Sequence, residues 1–230
     1  MSPKGDLDRS RAPRRVRAVI ERLADEGTVV ALSDGTLHEI FPVAASAAEG
    51  EALREWVVRE EATRTIEIGL GYGISALHIC EGLLLNAAPT AHHTVIDPYQ
   101  ATRFSGCGLQ LLEETGVSGL VEHYAQESQL VLPHLLCKER VFDLAFVDGN
   151  HRFEAVFVDL YYLGRLVRAG GVVFLDDYQL PAVARTVSFY VTNLGWTLEE
   201  VSDADDLHQW AVMRTSAVPD TRAFDFYVEF

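Results

Sequence analysis

The stretch Glu67-Ile68-Gly69-Leu70-Gly71-Tyr72-Gly73 decides how the rest of the chain reads. Residues 65–69 have the length and apolar content of a strand, and 75–86 have those of a helix. The turn between them is rich in glycine. Glycine accepts positive φ and lets the backbone approach a ligand closely, and the helix start beyond it offers N–H groups to an anion. Taken alone, such a turn indicates only a nucleotide-like ligand. From Gly71 through Gly73 to Ala76 it even satisfies the dinucleotide pattern G-x-G-x-x-G/A. Glu67 narrows the choice. A carboxylate two residues before the first glycine sits at the end of the strand, where it can hold an ammonium group by charge-assisted hydrogen bonding. A nicotinamide dinucleotide carries no such group.

Downstream of this loop the chain alternates. Strands are expected at 94–97, 120–124, 142–148 and 171–176. Helices are expected near 108–115 and over 128–138, 153–168 and 181–194. Two final strands are expected at 197–201 and 209–214. Alternation of this kind gives an α/β fold, here a Rossmann-like seven-stranded, mostly parallel sheet with helices on both faces. Phe142 to Val147 and Val172 to Leu175 are almost continuously apolar, as strands covered on both faces must be. Upstream, 14–25 places Val16, Ile20 and Leu23 at helical spacing. A polar stretch runs to Pro42, and a second helix is expected over 46–61, with Ser46 and Glu49 in capping-box positions. The expected organisation is an arm and helices over 1–62, covering an acceptor site, and a cofactor-binding domain over 63–230.

Composition removes several function classes. The 230 residues are 48% apolar, enough for a full core, and carry a formal charge of −15. That balance argues against a nucleic-acid partner, which needs a positive surface. The basic residues of the N-terminus, among them Lys4, Arg9 and Arg11, alternate with Asp6 and Asp8 and read as a frayed arm leading into the first helix. No apolar run approaches the ~20 residues that cross a bilayer, so no membrane association is expected. Cys80, Cys107 and Cys137 are odd in number and widely spaced. They read as reduced core residues of a cytoplasmic protein.

Parallel sheets bind ligands at the carboxyl ends of their strands. The second strand of the alternation ends at Asp97, where an acid can accept hydrogen bonds from a ribose diol; the competing reading is a helix cap, with Pro98 opening the helix. The fourth ends in Asp148-Gly149-Asn150-His151 and the fifth in Asp176-Asp177. Three carboxylates crowded beside an imidazole at one mouth would repel one another without a cation. A hard divalent ion such as Mg²⁺ resolves this, with Asp148, Asp176 and Asp177 as its ligands. The alternative is again capping, by Asp148 and Asp177.

These strand ends together resemble class I S-adenosylmethionine (SAM)-dependent methyltransferases over residues 65–215. More narrowly, they resemble the metal-dependent small-molecule O-methyltransferases of the catechol O-methyltransferase type and a bacterial group carrying D-G-x-H, active in secondary metabolism. The resemblance implies that Glu67 holds the methionine amino group. Gly69, Gly71, Gly73 and Ser75 would form the cofactor loop, and Asp97 would bind the ribose. Ser128 and Gln129 would edge the adenine, and Asp148 would lie beside the cofactor as well as the metal. Catechol-type enzymes end the metal pattern with Asn, so Asp177 departs from them. They also place a basic Lys where this chain has His151. His151 is therefore the candidate general base, with support of the metal or its carboxylates as the other reading. The resemblance further implies a small-molecule hydroxyl acceptor and a homodimer. Three rival readings stay open: a metal-independent N- or O-methyltransferase, a non-catalytic SAM-binding module, and an NAD-binding oxidoreductase. The last lacks a Tyr-x-x-x-Lys pair, since Arg165 and Leu166 follow Tyr161 and Tyr162 at that spacing.

Overall fold

A computed structural model describes residues 11–203 and 208–230. Lys4, Asp6, Asp8 and Arg9 of the basic arm lie outside the described residues. The chain divides into two compact units, Met1–Glu127 and Ser128–Phe230.

The first unit opens with α1 (Ala12–Glu26), which buries Val16, Val19, Ile20 and Leu23 along one stripe. Gly27 ends it in the left-handed conformation, its N–H closing on the Leu23 carbonyl. The polar stretch that follows holds a short hairpin, β1 (Thr28–Val30) and β2 (Leu37–Glu39). The sequence pattern did not suggest it, because three-residue strands carry too few positions for alternation to register. Helix α2 (Ala47–Arg59) begins as expected: the Ser46 side chain accepts the Glu49 amide.

Strand β3 (Arg64–Ile68) leads through the glycine turn into α3 (Ile74–Leu85), which is buried along almost its whole length. Strand β4 (His92–Ile96), helix α4 (Cys107–Thr115) and strand β5 (Val121–Tyr124) complete the unit. α1 and α2 pack on α3. Val16, Ile20 and Leu23 share one core with Leu77, Cys80 and Leu84. A Cβ on Gly82 would fall 2.8 Å from Val57, so α2 and α3 meet where only glycine fits. Arg17 lies in α1, within the helix expected over 14–25, and pairs with Glu51 and Glu81.

The second unit contains α5 (Ser128–Cys137), β6 (Phe142–Val147), α6 (Phe153–Leu166), β7 (Val167–Leu175), α7 (Pro181–Leu194), β8 (Thr197–Val201) and β9 (Ala211–Arg214). β7 starts earlier than the sequence suggests. α6 gives way to it at Val167, and its glycines explain how: a Cβ on Gly171 would fall 2.9 Å from the Asp143 carbonyl oxygen.

Strands β3 to β9 belong to one seven-stranded, mostly parallel sheet. The first unit supplies β5-β4-β3, all parallel, with Glu67 opposite Val95 and Ile68 opposite Ile96. The second supplies β6-β7-β9-β8, in which β6 and β7 are parallel and β9 is antiparallel to both its neighbours. Parallel neighbours must be joined through crossovers, and the crossovers here are helices that cover the faces of the sheet. Among the described residues no helix is long and apolar enough to cross a membrane. Cys80 and Cys107 are buried as expected, whereas Cys137, the last residue of α5, is exposed.

Candidate active site

In the first unit the parallel strands β3 and β4 end side by side, and their last residues build the loop site. Gly69, Gly71 and Gly73 all have positive φ, at 93°, 52° and 84°. Gly73 is tightly enclosed, since a Cβ there would fall 3.1 Å from the backbone of Gly108. Gly71 is the opposite case: a Cβ there would meet nothing within 4 Å. The loop is therefore braced on one side and open on the other. No side chain caps α3, so its first N–H groups face the loop as donors.

Glu67 is fully buried. Its Oε1 accepts the Ser75 hydroxyl, and its Oε2 lies 3.0 Å from His93 Nε2. His93 Nδ1 lies in turn 2.9 Å from Thr65 Oγ1. A carboxylate only accepts, so Nε2 carries the proton and Nδ1 accepts from the threonine. The sequence pointed to Glu67 and Ser75 but not to His93. Its neighbour relation was legible only through strand register, which puts Thr65 opposite His93.

Asp97 is nearly as buried, at 2% exposure. Its Oδ2 accepts the backbone amides of Leu70 (3.1 Å) and Gly71 (3.0 Å) and the Gln100 amide (2.8 Å). Its Oδ1 accepts from Tyr99 N at 2.7 Å. It caps no helix: α4 begins at Cys107, with Gly106 as N-cap. Asp97 instead ties the glycine loop to the end of β4, and Gln100 adds a second tie by donating to the Gly71 carbonyl at 2.7 Å.

In the second unit the ends of β6 and β7 supply the acidic corner. His151 stands between two carboxylates, with Nδ1 3.0 Å from Asp177 Oδ2 and Nε2 3.4 Å from Asp148 Oδ1. Nε2 is buried and makes no hydrogen bond among the described residues. Asp176 is 6% exposed, and its Oδ1 accepts the Asp177 amide at 2.6 Å. Neither Asp148 nor Asp177 caps a helix, because the N-caps of α6 and α7 are Arg152 and Leu180. Asp177 has φ 55°, a left-handed conformation that Asp tolerates better than most residues. Asp176, Asp177 and His208 each offer a ligand atom, all within 4.8 Å of one another. This donor set suits a divalent cation. It includes His208, which no strand-end motif in the sequence singles out. Asp148, expected in the same set, is placed against His151 instead.

Ser128 and Gln129 open α5. The Ser128 side chain hydrogen-bonds Asp159, whose carboxyl is pushed up to about 6, first by burial, with the serine acting in the opposite direction. Gln129 is exposed.

Residues 66–178 match a family model described as a methyltransferase domain. No curated protein matches the chain in sequence. Solved structures do match in fold. The O-methyltransferase TomG from Streptomyces achromogenes, involved in tomaymycin synthesis and solved with SAM, has a TM-score of 0.64 at 21% identity, covering 92% of this chain and 90% of its own. Cofactor-bound Rv0187 from MTB has a TM-score of 0.67 at 20% identity, with 87% and 89% covered. An O-methyltransferase from Bacillus cereus, bound to SAH, has 0.66 at 13% identity, with 89% and 90% covered. Fold and loop thus define a class I methyltransferase. The segment 66–178 belongs to the methyltransferase-domain family, and the chain is an enzyme of that class.

Proposed function

We propose that the protein transfers the methyl group of SAM to a hydroxyl of a small molecule, assisted by a divalent cation. One observation carries the acceptor and metal parts of this reading. Acids and imidazoles converge near the ends of β6 and β7, and neither Asp148 nor Asp177 is the N-cap of the helix that follows it.

The cofactor fits the loop for stated reasons. Open space over Gly71 leaves room for a ligand against the backbone. Ser75 donates its hydroxyl hydrogen bond to Glu67, so the lone pairs of its Oγ present an acceptor, backed by a buried carboxylate, to the methionine ammonium. Asp97 Oδ1 has one donor in place and accepts a further one from a ribose hydroxyl. Engaging the second hydroxyl at Oδ2 requires the Gln100 amide to yield. Ser128 and Gln129 are proposed at the adenine edge.

Asp176 and Asp177 would hold the ion, with Asp148 beside it. When bound, a divalent ion acidifies a hydroxyl that ligates it. Asp177 Oδ2, 3.0 Å from His151 Nδ1, favours the tautomer protonated at Nδ1, which leaves the Nε2 lone pair to take the acceptor's proton. Asp148, 3.4 Å from Nε2, stabilises the imidazolium so formed. The deprotonated oxygen attacks the methyl carbon in line, and S-adenosylhomocysteine departs. Alignment of oxygen, carbon and sulfur can contribute several kcal/mol, up to about 7–11 in favourable cases.

The N-terminal region over 1–62 is assigned to covering the acceptor. The exposed apolar residues Phe224, Phe226 and Tyr227 near the C-terminus are assigned to a homodimer contact. A cytoplasmic setting suits three unpaired cysteines. TomG, by its description, is involved in tomaymycin synthesis; a role of this chain in secondary metabolism is proposed on that likeness. The test is methyl transfer from labelled SAM to a panel of hydroxylated acceptors, before and after chelation. Transfer should fall at least tenfold with chelator and return with added metal. Undiminished transfer would remove the metal from the mechanism.

A further inference from the structure

The acidic corner carries a second inference, which rests on the metal-assisted reading and specifies it. We propose that His208 is a direct ligand of the ion, and that the site therefore selects a borderline transition metal such as Fe²⁺, Co²⁺ or Zn²⁺ over Mg²⁺.

The geometry of His208 is built rather than incidental. Its Nδ1 lies 3.4 Å from Asp177 Oδ1, and it completes the three-residue group with Asp176. Three hydrogen bonds clasp its segment to the strand end that bears the acids. Tyr178 N donates to the Gln209 carbonyl at 2.7 Å. Gln209 N donates to Gln179 Oε1 at 2.8 Å, and Gln179 Nε2 donates to Asp177 Oδ1 at 2.6 Å. The neighbour of His208 is thus fixed by backbone pairing, and the imidazole is delivered to the carboxylates. Asp177 itself has a left-handed backbone, and its Oδ1 lies within reach of both His208 and Gln179.

The donor chemistry decides the metal. Mg²⁺ prefers oxygen ligands in a near-octahedral shell and keeps several waters. Imidazole nitrogen suits Zn²⁺ and Fe²⁺ far better, and mixed imidazole–carboxylate sets belong to such ions. His151, 3.0 Å from the other oxygen of Asp177, then orients that ligand from outside the set.

The probes are Co²⁺ and Mg²⁺ alone, titrated into chelator-stripped, full-length protein. Visible absorption reports Co²⁺, and Mg²⁺ is read by competition. The expected result is Co²⁺ binding at least 100-fold tighter than Mg²⁺. His208→Gln should weaken Co²⁺ roughly 10–100-fold and alter its spectrum, while leaving Mg²⁺ affinity within about threefold. His151→Gln should retain the Co²⁺ spectrum. Should His208→Gln fail to fold, His208→Asn replaces it. Paramagnetically shifted imidazole resonances of Co²⁺-loaded wild type, retained in His151→Gln, give an independent reading. Equal affinity for the two ions, an unchanged Co²⁺ spectrum in the His208 variants, or no shifted imidazole resonance would each overturn the proposal. SAH calorimetry and methyl transfer on the same stripped protein separate the two readings. If the wild type binds no ion yet transfers methyl groups, the metal fails and the methyltransferase stands.

Discussion

His93 Nε2 stands 3.0 Å from Glu67 Oε2, with neither side chain exposed at all. A buried carboxylate is tolerable only while its lone pairs are met by donors. His93 and Ser75 are those donors, one on each oxygen. His93→Ala should strip one of them and leave the charge behind. Loss of one donor to a buried charged acceptor costs about 1.5–3 kcal/mol. Urea unfolding measures this directly, and a loss below about 1 kcal/mol would mean that Glu67 does not depend on His93.

Asp97 leads to a different kind of prediction, because its partners are backbone amides of the cofactor loop. Asp97→Asn preserves shape but turns one oxygen into a donor. That donor must face amides or a side-chain amide that also donate. Hydrogen bonds to a charged acceptor are worth about 1.5–3 kcal/mol, so SAH affinity should fall roughly 10–100-fold. Isothermal titration with SAH is the measurement. Unchanged affinity would show that the loop keeps its form without the carboxylate.

The contrast between these two acids explains how much the sequence revealed. Glu67 and Asp97 both stand at the carboxyl ends of short strand-like segments, each followed by an expected helix. The alternation of strand and helix is likewise a one-dimensional pattern, so the α/β fold and the seven strands β3 to β9 were legible. What stayed hidden depends on register or on distance along the chain. His93 matters because the parallel register seats it beside Thr65 and, through its ring, Glu67. His208 matters because a clasp through Gln209 and Gln179 carries it back to Asp177. The β1-β2 hairpin is too short for periodicity to express. Arg17 was legible as helical but not as paired, since its acids come from α2 and α3.

Asp159 gives a pH-dependent prediction. Burial raises its carboxyl to about 6 from an ordinary value of 3.8, with Ser128 partly opposing the shift. The folded state therefore holds a proton that the unfolded chain releases earlier. Stability is fully present below about pH 4 and declines as pH rises toward 6, after which it levels. The shift of about two pH units corresponds to roughly 3 kcal/mol. Asp159→Asn removes the charge and should be about 2–3 kcal/mol more stable than wild type at pH 7.5. The two proteins should converge near pH 4. Chemical denaturation across that range tests it, and an equal difference at both ends would place the effect in packing rather than in ionisation.

His151 closes the mechanism, and its replacement separates proton transfer from binding. Its ring is held by carboxylates on both sides, in the second unit, while the cofactor loop is built in the first. His151→Ala should therefore leave SAH affinity within about threefold of wild type. The proton-accepting nitrogen is lost, and general-base catalysis contributes typically 10²–10⁴-fold, so kcat should fall by about that factor. His151→Gln retains a donor toward Asp177 but provides no basic nitrogen. It should fall as far as the alanine variant if His151 takes the proton, and recover most of the rate if His151 only positions Asp177. Single-turnover methyl transfer at saturating SAM decides between the two, since binding no longer contributes to the measured rate.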